Sequence, residues 1–248
     1  MSATTSQPGY AMIACHVLWR ELSYLITRAP ARIFPVFLEQ GLHNEPDRLR
    51  DQVQAAIDRV DGQYESILIG YGLCSNGICG LRARKSRLVA IRAHDCITLL
   101  LGSRQHYQNY FQENPGTYWY SAGWIETGSM PGQDRIKLLH DRYAEQYDEE
   151  TADFLIEEEL KWMKNYRTAC FIRQDELPLD HEPFRDYTSR CAIECGWQYD
   201  ELDGSMDLLR DFVDGNWDHD RFLVLEPGQS VTASFDSSIL AAAPVSPA

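Results

Sequence analysis

Short apolar runs rich in branched residues alternate along the chain with stretches of helical periodicity. Apolar runs bounded by turn residues are typical of buried strands, whereas apolar positions that recur every three or four residues indicate helices. The runs predict strands over residues 10–15, 32–38, 66–71, 88–92 and 117–122. Such alternation is typical of crossover helices on a parallel sheet, so the sequence predicts an α/β fold with a Rossmann-like parallel sheet.

The segments between these runs each carry an apolar face. The clearest one covers residues 46–60, where Leu49 and Val53 lie on the same side of a helix that starts with a proline. Further helices are predicted over residues 18–27, 97–111 and 134–165, the last one long, acidic and broken near Asp148.

The second half of the chain repeats the alternation. Its predicted elements are strands over 169–173, 197–201 and 222–225 and helices over 183–195 and 206–214. We therefore expect two unequal α/β lobes joined by the long helix, the first over residues 10–133 and the second over 134–231. Residues 1–9 are predicted to be a flexible N-terminus, and residues 232–248, rich in Ser, Ala and Pro, a flexible tail.

Composition and charge narrow the classes of function. The 248 residues are 44% hydrophobic, which is enough to bury a core. The formal net charge of -14 argues against nucleic acid or an anionic membrane as a partner, because binding phosphates requires a basic face. No apolar stretch approaches the roughly 20 residues that cross a bilayer, and the first residues lack the pattern of a signal peptide. A cytoplasmic protein that acts on a small molecule is expected.

Seven cysteines in a chain expected in the cytoplasm indicate free thiols or metal ligands rather than disulfides. Cys15 follows the first predicted strand, His43 the second, Cys74 the third and Cys96 the fourth. Ligands of open α/β sheets bind beyond the carboxyl ends of the strands, so these residues are expected to converge. Thiolate and imidazole together suit zinc best among the common divalent ions. The sequence therefore predicts one site for zinc, or another transition metal, with these four residues as ligands.

Other interpretations of these residues stay open. A buried cysteine often serves only as a small hydrophobe. In the stretch YGLCSNGICGL the glycines permit a sharp turn that presents Cys74, and Cys79 fits a second ligand, a resolving thiol or packing beneath the turn. The stretch lacks the Walker lysine and the regular three-glycine spacing, which disfavours a phosphate cradle. His16 is expected to point away from Cys15, because neighbouring strand residues face opposite sides.

The residues near this edge are candidates for substrate binding. Arg92 and Arg104 belong to a basic segment of an otherwise acidic chain, and an arginine fork suits a substrate carboxylate, although a solvated surface explains them equally well. Trp124 and Glu126 follow the fifth predicted strand and are predicted to wall a pocket. For catalysis, Asp95 is predicted to orient a ligand or accept a proton.

Four segments are long enough to be specific: YGLCSNGICGL, RAHDCITLLLGSRQHY, PGTYWYSAGW and GWQYDELDGSMDLLRDFVDGNWDHDRFLVLEPGQSV. Together they resemble the bacterial and archaeal family catalogued as domain of unknown function 1638, over roughly residues 10–231. The resemblance implies a place beside corrinoid-dependent methyltransferase systems for methylamines, and assigns no residue a role. The stretch AIRAHDC lacks the proline expected before its arginine, and His16 stands where a small residue is expected.

The ligand set and the resemblance together favour a zinc-dependent methyltransferase, or a related one-carbon transferase, that acts with a corrinoid protein or methyltransferase partner. Zinc lowers the pKa of a bound thiol and so supplies a thiolate nucleophile at neutral pH. The alternative is a non-catalytic accessory protein that carries a metal, a corrinoid or a small amine. A metal-free enzyme with Cys74 or Cys96 as nucleophile and His94 or His43 as base is least favoured, because several thiols would be superfluous.

Overall fold

The computed structural model describes residues 9–245 and divides into two compact units. One unit takes in the described residues of 1–104 and 205–248, and the other takes in 105–204. The strands are β1 (Gly9–Cys15), β2 (Arg32–Leu38), β3 (Ser66–Gly70), β4 (Arg87–Ile91), β5 (Thr117–Tyr120), β6 (Thr168–Arg173), β7 (Gln198–Asp203), β8 (Phe222–Leu225), β9 (Gln229–Ala233) and β10 (Leu240–Pro244). The α-helices are α1 (Trp19–Ile26), α2 (Pro46–Val60), α3 (Cys96–Leu101), α4 (Arg104–Glu113), α5 (Ala122–Thr127), α6 (Gln133–Ala144), α7 (Glu149–Leu160), α8 (Glu182–Cys195) and α9 (Asp207–Asp214).

The first unit is built on a five-stranded sheet of order β2-β1-β3-β4-β8. Strands β1 to β4 pair in parallel, and β8 runs antiparallel beside β4. Met12 and Ile13, neighbours on β1 that face opposite sides of the sheet, are both fully shielded from solvent. Burial on both faces explains why these strands appear as continuous apolar runs. The predicted α/β fold with a mostly parallel central sheet is confirmed.

Helix α2 shows how the apolar pattern becomes packing. It starts at Pro46, whose missing N–H costs nothing in the first turn of a helix. Leu49, Val53 and Ile57 recur on one side and are fully buried in the contact of the helix with β1 and β2. The bounds predicted for this helix, residues 46–60, are those of the structure.

The second unit has its own three-stranded parallel sheet of order β5-β6-β7. Tyr120 of β5 pairs with Phe171 of β6, and both join a core to which α8 contributes Cys191 and Ala192. The strand predicted over residues 117–122 therefore does not extend the sheet of the first four strands. Its apolar pattern fits either sheet, because periodicity carries no information on which strand is the neighbour.

Two predicted helices are interrupted. The helix predicted over 97–111 is divided into α3 and α4, because Gly102 adopts a φ of 69° and a side chain there would lie 2.8 Å from Ser205. The predicted break near Asp148 is confirmed: this residue caps α7 by accepting the amide of Thr151 at 2.9 Å. Helices α6 and α7 lie within the second unit, so no long helix joins two lobes there. Within residues 9–245, no helix combines the length and apolar character needed to cross a membrane.

The C-terminal residues differ from the prediction both in the unit they belong to and in their secondary structure. Strands β9 and β10 form an antiparallel hairpin that buries Val231 and Leu240. The amide of Val231 donates to the carbonyl of Leu81 at 2.9 Å, which ties the hairpin to the first unit. The flexible tail predicted over 232–248 is therefore wrong for its described part, and residues 205–231 return to the first unit instead of completing a second lobe. The predicted flexible N-terminus lies outside the described residues, except Gly9, which begins β1.

Candidate thiol site

In the first sheet, the direction in which successive strands are added changes between the parallel strands β1 and β3. From β1 the chain passes outward to β2, then returns to β3 on the other side of β1 and continues to β4. Ligands of open α/β sheets bind beyond the carboxyl ends of the strands at such a reversal. Cys15 is the last residue of β1, and Cys74 lies four residues beyond the end of β3, so both flank this point.

Cys15 is buried at the point where β1 turns into the short 3-10 helix His16–Leu18. Removal from water raises the pKa of its thiol, and the backbone of Val17, which hydrogen-bonds to the sulfur, opposes this rise. His16 is exposed and its ring stacks on Phe37 with a centroid distance of 6.0 Å. Cys15 and His16 thus have different surroundings, as the alternation of strand residues predicts.

Cys74 lies in a loop with an unusual backbone. Cys74, Ser75 and Asn76 have φ angles of 48°, 56° and 67°, three consecutive residues in the left-handed region without a glycine among them. A residue held in such a conformation costs about 1–3 kcal/mol and persists only where its surroundings enforce it, often at functional sites. One such restraint is the amide of Cys74, which donates to the carbonyl of His94 at 2.9 Å.

Gly72 allows this loop to approach the start of α3. A Cβ at Gly72 would lie 2.7 Å from the backbone of Asp95, so glycine is required at this position. The Oδ1 atom of Asp95 caps α3 by accepting the amides of Ile97 at 3.1 Å and Thr98 at 3.2 Å. Cys96 is the first residue of α3 and is therefore held beside the loop.

Cys15, Cys74 and Cys96, called the thiol site from here on, lie close enough to affect one another's protonation. Removal from water is the largest effect on Cys74, and together with the charges of Cys15 and Asp95 it raises the pKa of this thiol to about 12. The pKa of Cys96 is raised well above its ordinary value by burial, and then by Cys15, Cys74 and Asp95. The three thiols are therefore protonated at neutral pH in the metal-free protein.

Tyr71 is a further residue of the thiol site that the sequence pattern did not predict. It is 3% exposed, and its hydroxyl has no hydrogen-bond partner among the described residues. Burial raises the pKa of this phenol, and the charges of all three thiols would raise it further, so Tyr71 lies within electrostatic range of Cys15, Cys74 and Cys96. The only signal in the sequence is a polar aromatic at the last position of the aliphatic strand predicted over 66–71.

His43 lies in the 3-10 helix Leu42–Asn44 that follows β2, and it is half-buried. Burial lowers the pKa of its imidazole, and the negative charge of Asp95 opposes this shift without cancelling it. A lowered pKa keeps the ring neutral near pH 7, which is the form that binds metals. The influence of Asp95 shows that groups following β2 and β4 act on the same region.

The thiol site does not form a closed coordination shell as it stands. Within residues 9–245, no group of three or more His, Cys, Asp or Glu side chains is arranged to hold a metal ion. The ligand set of Cys15, His43, Cys74 and Cys96 therefore stays a prediction.

Two more predicted residues of this unit carry structural contacts. Asp95 uses Oδ1 for the cap of α3, and His94 is exposed, with its backbone carbonyl accepting the amide of Cys74. These contacts account for both positions through local structure. Their predicted parts in proton transfer stay predictions.

Arg92 and Arg104 both bind main-chain carbonyls of the C-terminal segment. Their role in binding a substrate carboxylate stays a prediction. Fewer of their N–H donors are available for it, because several already bind these carbonyls. Arg92 donates to Phe222 at 3.1 Å, to Ser238 at 2.9 Å and to Leu240, and Arg104 donates to Asp220 at 3.1 Å and to Ser237.

The remaining predicted residues lie elsewhere. Trp124 and Glu126 belong to α5 of the second unit, where Trp124 packs against the core of that unit and Glu126 is exposed. A pocket walled by them stays a prediction. Cys79 is half-buried in the loop of Cys74, with its sulfur 3.9 Å from Oδ1 of Asn76.

A family model described as "Protein of unknown function (DUF1638)" matches residues 37–213. The matched range contains His43, Tyr71, Cys74 and Cys96, and it begins after Cys15. No curated protein and no solved structure matches the chain.

Proposed function

We propose a function from the thiol site itself, since the chain belongs to the DUF1638 family, whose description gives no activity. In this proposal the protein is a metal-dependent methyltransferase, or a related one-carbon transferase, that works with a corrinoid partner. Cys15, Cys74 and Cys96 bind zinc or a similar transition metal, and His43 is available as a further ligand.

The observation that carries the proposal is the convergence of three thiols that their surroundings keep neutral. A cysteine that acts as a nucleophile without a metal needs a lowered pKa, from a base or a neighbouring cation. Here burial, the other thiols and Asp95 all raise the pKa of Cys74 and Cys96. A bound cation reverses this effect, because it replaces the thiol protons. The site therefore suits metal binding better than metal-free thiol catalysis.

The residues present fit zinc better than a hard cation. Sulfur donors select zinc and other soft or borderline metals, and the neutral imidazole of His43 suits the same ions. The thiols carry protons in the metal-free protein, and a bound cation would take the place of those protons.

The proposed reaction transfers a methyl group from a methylated corrinoid to a small thiol. Zinc held by Cys15, Cys74 and Cys96 would lower the pKa of a bound substrate thiol and supply a thiolate nucleophile at neutral pH, with the proton going to solvent. This thiolate would accept the methyl group, and the electron pair of the broken carbon–cobalt bond would stay with the corrinoid. The corrinoid part of this proposal is supported by the resemblance of the sequence segments. The proposal also places the protein in the cytoplasm. Reducing conditions there keep thiols free, and all seven cysteines are free in the structure.

Metal analysis of the full-length protein, purified without chelator, tests the site. We expect about one zinc per chain in the wild type and a loss of most of it in Cys74→Ser and Cys96→Ser, since removing a ligand opens the shell. Cys79→Ser is the matched control, because Cys79 lies in the same loop and its sulfur contacts Asn76. Less than about 0.2 equivalents of any transition metal in the wild type would contradict the proposal.

A methyl-transfer assay separates the enzyme from the accessory protein. The zinc-loaded protein is mixed with a methylated corrinoid protein and a small thiol, and the loss of methyl-cobalt absorption is followed. Turnover that disappears in Cys96→Ser and persists in Cys79→Ser is expected. Binding of the corrinoid protein without turnover would instead assign a carrier role.

A further inference from the structure

We propose that Tyr71 is a ligand-binding residue of the thiol site, and that its hydroxyl donates a hydrogen bond to an anionic acceptor, a substrate thiolate, bound at the metal. This inference rests on the proposed metal site. It goes further by naming the residue that recognises the incoming molecule and the charge that molecule carries.

The hydroxyl of Tyr71 is the observation that calls for a ligand. Buried tyrosine hydroxyls usually have a hydrogen-bond partner, as Tyr110 does with Oδ2 of Asp200 at 2.7 Å. The hydroxyl of Tyr71 is fully shielded and has no such partner among the described residues. Leaving a buried polar group unpaired is unfavourable. Tyr120 also has an unpaired hydroxyl, but it lies in the core of the second unit, whereas Tyr71 lies at the carboxyl end of a parallel sheet, where ligands bind.

The register of the sheet places Tyr71 at the edge where a ligand of the thiol site is expected. Ala14 of β1 pairs with Gly70 of β3. The next residues on the two strands are Cys15 and Tyr71, which therefore lie at the same level at the carboxyl end of the sheet. The reversal of strand order falls between these two strands, so Tyr71 borders the crevice in which a ligand is expected.

The other groups of the site determine which ligand Tyr71 suits. Neither a thiol nor a carboxyl group carries a positive charge in any protonation state, so none of these groups attracts an anion. A metal supplies the positive charge, and a phenol supplies a donor to an atom that bears a lone pair and a negative charge. A thiolate meets this requirement. A thioether, the product of methylation, is only a weak acceptor, so the same contact favours substrate over product.

The test uses full-length protein loaded with Co²⁺ in place of zinc, whose visible absorption reports the ligands of the metal. Wild type, Tyr71→Phe and Tyr10→Phe are each titrated with 2-mercaptoethanol and, separately, with imidazole. Tyr10 is a matched control because it is a buried tyrosine on β1, five residues before Cys15 and near the opposite end of the strand.

We expect all three proteins to take up equal cobalt. Tyr71→Phe should bind 2-mercaptoethanol about tenfold more weakly, the effect of losing one hydrogen bond to a charged group. Its affinity for imidazole should be unchanged, because a coordinated imidazole offers no acceptor to the phenol. Tyr10→Phe should match the wild type with both ligands.

Each other outcome overturns the inference in a distinguishable way. Equal thiol affinity in Tyr71→Phe and wild type would remove the role of Tyr71 and leave the metal site intact. Loss of cobalt from Tyr71→Phe alone would make the phenol a part of the metal shell instead of a donor to the substrate. An absence of cobalt uptake by the wild type would overturn the metal site and this inference together.

Discussion

The protonation of the thiols determines how the site responds to pH. Burial raises the pKa of Cys15, Cys74 and Cys96. Nearby negative charges raise the pKa of Cys74 and Cys96 further. At neutral pH all three therefore carry protons in the metal-free protein. The pKa of His43 is lowered, so its imidazole is already in the neutral form. Binding a metal must remove a proton from each thiol and none from the imidazole.

Zinc binding near neutral pH is accordingly expected to release about three protons per chain. Because each released proton contributes about a tenfold change in affinity per pH unit, zinc affinity should fall steeply as the pH is lowered. Calorimetric titrations in buffers with different ionisation enthalpies measure the number. Cys96→Ser should release about one proton fewer. Release of less than one proton by the wild type would show that the thiols are already ionised, contrary to the effect of burial.

At the scale of elements, the sequence predicts the strands that carry the site better than the loops that shape it. Strand β2 and helix α2 have the predicted bounds, because apolar periodicity depends on which faces are buried. The left-handed backbone of residues 74–76 was not predicted, since only Asn76 is of a type that favours this conformation. The approach of Gly72 to Asp95 was also hidden, because it joins segments far apart in the sequence.

The cap of α3 leads to a prediction at this scale. Asp95→Ala is expected to lower the free energy of unfolding by about 1 kcal/mol, because the amides of Ile97 and Thr98 lose their acceptor. Asp95→Asn should retain most of the stability, since asparagine caps helices about as well as aspartate. Denaturation in urea measures both. If Asn is as destabilising as Ala, the negative charge of Asp95 matters rather than the cap.

At the scale of the whole molecule, the last residues of the chain return to the first unit. Strand β8 pairs antiparallel with β4, and the β9–β10 hairpin bonds to residues 80–83. The composition after residue 228 indicated a loose tail, because Ser, Ala and Pro outnumber the apolar residues there. The order of this segment depends instead on a few buried side chains, among them Val231 and Leu240. Composition averages over a segment and does not register two well-placed side chains.

Removal of residues 229–248 is therefore expected to lower the free energy of unfolding by about 5 kcal/mol. Val231 and Leu240 are buried, and burial of such side chains contributes about 1.5–3 kcal/mol each. Main-chain hydrogen bonds from the hairpin to Gly80, Leu81 and Ala83 would also be lost. Thermal and urea denaturation measure the effect.

The matched control for this deletion is Phe235→Ala. Phe235 lies between β9 and β10 and is fully exposed, so its substitution should leave stability unchanged. The deletion also removes the carbonyls of Ser238 and Leu240, to which Arg92 donates, and Arg92 directly follows β4. The shortened chain should therefore bind cobalt more weakly than Phe235→Ala, because Cys96 begins the helix that follows this strand. A shortened chain with the unfolding midpoint and cobalt affinity of the wild type would show that the hairpin is dispensable for both.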